Sequence, residues 1–572
     1  MENSPSHHRY GASCTYALTL RVRILRISPI SNLPMTQRPL LTCLAALLLI
    51  PAAVLGGDTA QTSEAATVHG LIWIDWVIIG LYGAGTIVLG WWCSRGDRTT
   101  SEYFIGSGKM NPILIGVSLF ATLLSTITYM SLPGETLGKG PAFASNYISY
   151  PLIFAVVGFV LLPIYMRTRR QSAYELLEER LGLSVRLLGA VMFLLLRLVW
   201  MSLMIYLTSK AISIMAGVGE EWVPLIAAVS GLVTVIYTSL GGLRAVVITD
   251  LMQTILLYGG ALLVIGTVTV EMGGFSWFPS HWHPTWDAQP IFSWDLSERV
   301  TVVGSIISVF FWTVATMGGD QVSIQRFMAT VDAKAARRAL AVQLVVSVVV
   351  GLTLACVGFA LLGYFEAFPD RLTPDLDLKA NADKIFPYFI AFRLPPVISG
   401  LVVAGLFAAA MSSLDSGVNS ITAVVMRDFL DRFGLGPKND QQHFKLARWM
   451  AFGIGAVVVV GSSFMEHVPG NFTEVTGKTV NLLSVPIFCL FVFALLIRFA
   501  SPTGVWIGAV CGITAAALVA FSGPLFVANF DPKTMRDPVS FQWIQLIAFI
   551  ANMTGGVLGS LLFPRKAAAA SG

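Results

Sequence analysis

AGLFAAAMSSLDSGVNSITAVVMRD, residues 404–428, lies in an apolar segment long enough to cross a bilayer, yet it places four serines, an asparagine and an aspartate at membrane depth. At about 100° per residue, Asn419, Ser416, Ser420, Ser413 and Asp415 fall in an arc from about −60° to about +100° of Ser412, with Met411, Leu414 and Val418 outside it. Such a polar face meets protein, water or an ion rather than lipid. Ala409 precedes Ser412 and Ser413 by three and four residues, hence lies beside them, and its carbonyl keeps a lone pair that the helix does not use. Two hydroxyls and a carbonyl make half of a neutral oxygen cage for a hard cation. Small hydroxyl residues also glue membrane helices together, and that packing reading stands beside the first.

The surrounding chain shares this apolar character. Its 572 residues are 55% hydrophobic and 12% charged, with a mean hydropathy of +0.73. A soluble protein carries roughly 25% charged residues. Apolar runs of about 20 residues recur near 70–93, 111–133, 143–166, 187–209, 222–240, 246–270 and 300–318. Six more lie near 339–364, 395–426, 447–464, 473–497, 503–522 and 541–563. The expected architecture is an all-α integral membrane bundle of about thirteen transmembrane helices. The net charge of +5 is spread over short loops, which argues against nucleic acid as a partner. The six cysteines show neither metal-ligand spacing nor a disulfide framework.

Basic residues alternate between loops. Arg95, Arg98 and Lys109 follow the first run, Arg167, Arg169, Arg170, Arg180 and Arg186 the third, and Arg244 the fifth. Arg326, Lys334, Arg337 and Arg338 follow the seventh, Arg427, Arg432, Lys438, Lys445 and Arg448 the ninth, and Arg498 the eleventh; Arg565 and Lys566 come after the last. The positive-inside rule makes these loops cytoplasmic, with the mature N-terminus outside and the C-terminus in the cytoplasm. The expected location is the plasma membrane, or the inner membrane of a bacterium. Residues 1–34 read as an untranslated or disordered leader. Met35, Arg38, the apolar run 40–55 and the small residues Gly56, Gly57 and Ala60 follow the order of a cleavable signal peptide over 35–60, with an additional anchoring helix as the alternative.

The run from Gly116, GVSLFATLLSTITYMSLPGETLGKG, ends in Pro133-Gly134, and that from 300 ends in Met317-Gly318-Gly319-Asp320. Proline and glycine predict broken helices there, whose freed carbonyls can ligate an ion. Each break signal opens a unit of five runs, 111–270 and 300–497. An odd number of spans inverts the second unit relative to the first. The helix at 70–93 precedes this pair, and the helices in 503–563 follow it.

Four stretches now carry a resemblance. GGLRAVVITDLMQ (241–253) and AAAMSSLDSGVNS (408–420), with EYFIGSGKMNPILIGVSLFAT (102–122) and GGDQVSIQRFMA (318–329), resemble the sodium:solute symporter family, in order over roughly residues 70–500. The resemblance implies two inverted five-helix repeats of the LeuT type and Na+ as coupling ion. It implies a sodium site formed by the carbonyls of Ala121, Leu124 and Ala409 and the hydroxyls of Ser412 and Ser413. Asp250 aligns with a family aspartate linked to sodium, so Asp250 and Ser416 are candidates for coupling or a second sodium. An acidic helix N-terminus at Thr249-Asp250 is the simpler reading.

Ser125, Thr128, Arg197 and Trp312 are the candidate solute contacts. Arg197, in LLLRLVWMSLMIY, is a costly intramembrane cation that needs a partner, either an anionic solute or a structural carboxylate. Members carrying sialic acid are similar in placing an arginine in this helix. Thr128 stands where sugar-carrying members have a glutamine, and run 143–166 has no acidic residue, which argues against a hexose. A small organic anion such as a carboxylate is expected, with a neutral sugar, polyol or amino acid as the alternative. The lipid bilayer and this solute are the expected partners, with no obligatory protein partner.

The seven histidines fall outside the centres of the runs, IGSGKM (105–110) lacks the spacing of a phosphate loop, and no catalytic constellation emerges. An enzyme is not expected. Nor is a resident metal beyond sodium, since His281 and His283 stand without further ligands. A passive channel needs no inverted pair of broken helices, and a sensor would need an output module.

Overall fold

The computed structural model describes residues 70–94 and 103–565, apart from 105, 107, 169–171, 285, 287–291, 466–471 and 532–534. The leader and signal-peptide readings lie outside the described residues, as do His7, His8, His69 and His467.

Among the described residues, eleven helices are long and apolar enough to cross a membrane, and a bent pair makes a twelfth span. The run at 473–497 also falls on a helix, Phe472–Leu496, whose apolar part is Asn481–Leu496. The count of about thirteen is thus matched to within one.

Helix α1 (Trp73–Ser94) precedes the bent pair α2 (Pro112–Leu123) and α3 (Thr126–Lys139), whose axes differ by 68°. Then come α4 (Pro141–Thr168), α5 (Glu175–Leu181), α6 (Leu183–Ala216), α7 (Glu220–Ser239) and α8 (Gly242–Glu271). α7 and α8 join at Gly242, whose φ of 58° and ψ of −169° suit a residue without a side chain. The second series is α9 (Val302–Gly319), α10 (Gln321–Met328), α11 (Ala333–Ala367), α12 (Ala382–Phe392), α13 (Ile398–Asp431), α14 (Asp440–Ser462) and α15 (Phe472–Leu496). α16 (Pro502–Ala520) and α17 (Phe541–Leu562) complete the bundle, packed together where Gly508 meets Gly556.

The first break differs from its expected place. α3 runs through Pro133 and Gly134 without interruption, and the chain breaks nine residues earlier, at Leu124 and Ser125, which are both extended. Ser125 caps α3 by accepting from the Thr128 N–H at 3.1 Å. Pro133 and Gly134 serve packing instead. A Cβ on Gly134 would lie 2.9 Å from the Ala382 carbonyl, and one on Gly358 would lie 2.4 Å from that of Pro133. The second break is where glycine predicts it. α9 ends at Gly319, Asp320 is extended, and its Oδ1 accepts from the Val322 N–H at 2.9 Å to start α10.

Among the described spans α13 is the most enclosed by protein. Met411, Leu414 and Val418 are as buried as Ser412 and Ser416, so both sides of this helix face protein.

Candidate functional site

The end of a helix leaves its last carbonyls without partners. At the first break the Leu124 N–H returns to the Phe120 carbonyl at 2.8 Å, and the Ser413 hydroxyl donates to the Thr122 carbonyl at 3.2 Å. Among the described residues, the carbonyls of Ala121 and Leu124 receive no hydrogen bond. The second break is treated differently. Tyr165 donates to the Gly318 carbonyl and Tyr174 to that of Gly319, the latter at 3.3 Å. Phenols close one break, while the other leaves two carbonyls without a hydrogen-bond donor among the described residues.

Next to that break lies a polar network in which every group is buried. The Ser412 hydroxyl donates to Asp250 Oδ1 and that of Ser118 to Asp250 Oδ2, the second at 2.5 Å. Arg326 donates from Nε to Ser118 Oγ at 2.9 Å, and from one terminal nitrogen to Ser416 Oγ and to Asp250 Oδ2, the last at 3.4 Å. Thr122 and Ser416 hydroxyls lie 2.9 Å apart. Asp415 accepts from Ser416 at 3.0 Å and from Tyr237 at 2.5 Å. Five elements, α2, α7, α8, α10 and α13, meet in these contacts.

Arg326 corrects the sequence reading, which counted it among loop cations. It is wholly buried, because α10 follows the second break back into the core, between apolar Val322, Ile324, Phe327 and Met328. Asp250 is also not at a helix N-terminus. It lies eight residues into α8, and its charge is met by Arg326 and hydroxyls rather than by a helix dipole.

Of the five expected sodium ligands, Ser412 and Ser413 are buried on α13, and Ser413 touches α2 directly. Ala409 and Leu124 belong to one apolar cluster, and Ala121 sits on the last turn of α2. The second-sodium candidates Asp250 and Ser416 are joined through Arg326.

A cavity of about 240 Å³ lies beside α3 between the first break and Glu135, lined among others by Leu124, Thr128, Glu135, Trp312, Gln343 and Asn481. Thr128 and Trp312 thus both line this cavity. Ser125 is taken up by its cap and lies 3.2 Å from the Thr128 hydroxyl. Arg197 lines a separate space of about 20 Å³, behind the shared side chains of Trp200 and Trp312, where it forms a buried ion pair with Asp320. Glu135 at the cavity pairs with Arg299. Gln343 and Thr313 went unnoticed in the sequence, since isolated polar residues in apolar helices carry no spacing signal. Both are buried at the cavity, and neither Gln343 Oε1 nor Thr313 Oγ1 has a hydrogen-bond partner among the described residues.

Residues 103–512 match the sodium:solute symporter family. This chain belongs to that family. It is 27% identical over 471 residues to the sodium/sialic acid symporter SiaT of Proteus mirabilis (strain HI4320), covering 80% of this chain and 91% of that protein. It is 25% identical over 460 residues to the sodium-coupled monocarboxylate transporter 1 of Homo sapiens, covering 78% of this chain and 72% of that protein. The solved structure of a substrate-bound, outward-open Na+-coupled sialic acid symporter superposes with a TM-score of 0.74 at 23% identity, over 87% of this chain and all of that one. The fold is therefore that of the LeuT-type symporters. This family member is a multi-pass membrane protein and a sodium-coupled symporter of small solutes, with Na+ as the coupling ion, and not an enzyme.

Proposed function

We propose that this symporter imports a small organic anion bearing a carboxylate, with Na+ held at the first helix break by the carbonyls of Ala121, Leu124 and Ala409 and the hydroxyls of Ser412 and Ser413. The observation that supports the sodium position is the asymmetry of the two breaks: tyrosines cap the carbonyls of the second, whereas those of Ala121 and Leu124 stay open beside Ser413. Oxygen ligands without net charge suit a hard monovalent cation stripped of water. In this reading the protein sits in the plasma membrane with its mature N-terminus outside, and residues 111–270 and 300–497 are the inverted repeats.

Sodium entry from outside is driven by its gradient and by a potential worth ~2.3 kcal/mol per charge per 100 mV. Bound sodium would tie the end of α2 to α13, which holds the cavity beside α3 in shape for the solute. The coupling is reciprocal, so the solute must tighten sodium binding as much as sodium tightens solute binding. Movement of the α2–α4 and α9–α11 helices against the rest would then open the inner side, where low sodium releases both.

The carboxylate reading is supported by the relatives, whose names specify sialic acid and monocarboxylates, and by Arg197 one aromatic layer from the cavity. A neutral solute is the second reading. It is favoured by the pairing of Arg197 with Asp320 and by a cavity lining that includes no lysine or arginine among the described residues. Thermal stabilisation of the purified protein by carboxylates, sugars, polyols and amino acids, each with sodium or potassium, separates the two. A sodium-specific shift with carboxylates supports the first, and one with neutral solutes alone supports the second.

A further inference from the structure

We infer that residues 172–174, between α4 and α5, form an inner latch, in which Ala173 and Tyr174 are positioning residues that hold the second break and α10 closed when sodium is bound. This inference rests on the sodium position, orientation and movement proposed above. The segment is fixed on one side. The Ser172 hydroxyl donates to Asp428 Oδ2 at 2.6 Å, and Arg186 of α6 donates from Nε to Asp428 Oδ1 at 2.7 Å. Arg186 also donates to Glu178 Oε2 of α5 at 2.6 Å. The segment and α5 are thereby tied to α6 and to the end of α13, two helices of the part that stays in place in the proposed movement.

On its other side the segment reaches the part that moves. The Ala173 N–H donates to Gln321 Oε1 at 2.7 Å, and the Tyr174 phenol donates to the Gly319 carbonyl at 3.3 Å. Ser172, Ala173, Tyr174 and Gln321 are all buried, so breaking either bond strands a polar group. The second break cannot swing away from α5 without breaking both.

Gln321 opens α10, an eight-residue helix that carries Arg326 five residues further on. Arg326 lies 3.4 Å from Asp250, which also accepts from the Ser412 hydroxyl. Sodium on the Ser412 oxygen directs that hydroxyl's proton to Asp250, and so favours the placement of Arg326, and with it α10, that the latch requires. Each step from Ser412 through Asp250, Arg326 and Gln321 to Ala173 is a hydrogen bond or one short helix. Such a route is established by coupling between its two ends rather than by adjacency.

Hydrogen exchange of the purified protein, read by mass spectrometry on peptides covering 172–182, reports on the latch directly. In the parent, exchange there is expected to be slower in sodium than in potassium. Gln321→Leu leaves the Ala173 N–H without its acceptor and is expected to speed exchange in both ions. Because coupling is reciprocal, the same variant is expected to bind radioactive sodium about tenfold more weakly, with the number of bound ions unchanged. Tyr174→Phe keeps the ring and removes only the hydroxyl. It is expected to move both readouts in the same direction by less, and it serves alone should Gln321→Leu fail to fold. A residue that only stabilised the fold would speed exchange without changing sodium affinity. Exchange in the parent that is the same in sodium and potassium overturns the inference, as does parental sodium affinity in the folded variants. The cage itself is tested separately by Ser412→Ala with Ser413→Ala. If that variant binds sodium normally, the proposed position fails whatever the latch variants do.

Discussion

Arg326 on α10 and Asp250 on α8 meet at 3.4 Å with no access to solvent. A buried pair contributes little net stability, but removing one partner strands the other and costs about 3–5 kcal/mol. Arg326→Gln should therefore destabilise the protein by that amount, and Asp250→Asn with Arg326→Gln should be milder than Arg326→Gln alone. Thermal melting in detergent measures both. Equal damage in the two would mean that the arginine acts by packing.

Asp320 holds Arg197 and also starts α10. Asparagine caps helices as well as aspartate does, so Asp320→Asn should preserve the second break while freeing Arg197. If the solute is a carboxylate, its half-saturating concentration should fall by up to about tenfold, with neutral compounds unaffected. Arg197→Gln should raise it. Uptake competition between carboxylates and their neutral amides reads out both variants, and no selective change in either would favour the neutral solute.

Gly134 and Pro133 predict opposite outcomes despite being neighbours. Gly134→Ala places a methyl 2.9 Å from the Ala382 carbonyl and should destabilise by about 1–3 kcal/mol. Pro133→Ala leaves α3 continuous and should change sodium coupling little, because the break is at Leu124 and Ser125. A collapse of coupling in Pro133→Ala would restore the hinge to this position.

These two residues show where the sequence misleads. Pro133-Gly134 has the composition of a break, but the surrounding helices use the small residue for close approach. Leu124-Ser125 has no breaker, and its break follows from the Ser125 cap. The polar face of α13 was legible because four serines in an apolar run are costly to leave unpaired. The spans were legible for the same reason, through their length and apolarity. Arg326 was not, because a cation between two apolar runs reads as a loop residue until the chain is seen to re-enter the core. Nor was the Arg197–Asp320 pair, whose partners are 123 residues apart in sequence.

Glu178, on α5 outside the spans, is held below the usual carboxylate range, chiefly by its hydrogen bond from Arg432 and then by Arg186. A depressed folded pKa gives stability that is present above the unfolded value, near 4.3, and lost as pH falls through the folded one. Melting temperature should therefore fall below about pH 4 more steeply in the parent than in Glu178→Gln. Parallel curves would show that this link between α5 and the end of α13 adds nothing to stability.

The most direct test of the sodium position is uptake into proteoliposomes by the parent and by Ser412→Ala with Ser413→Ala, over a range of external sodium and with a solute identified by thermal stabilisation. The variant should reach the membrane and melt cooperatively, yet need at least about tenfold more sodium for half-maximal uptake, as expected when two oxygen ligands are lost. An unchanged sodium dependence in a folded variant would contradict the account and leave the two serines as packing residues between α2 and α13.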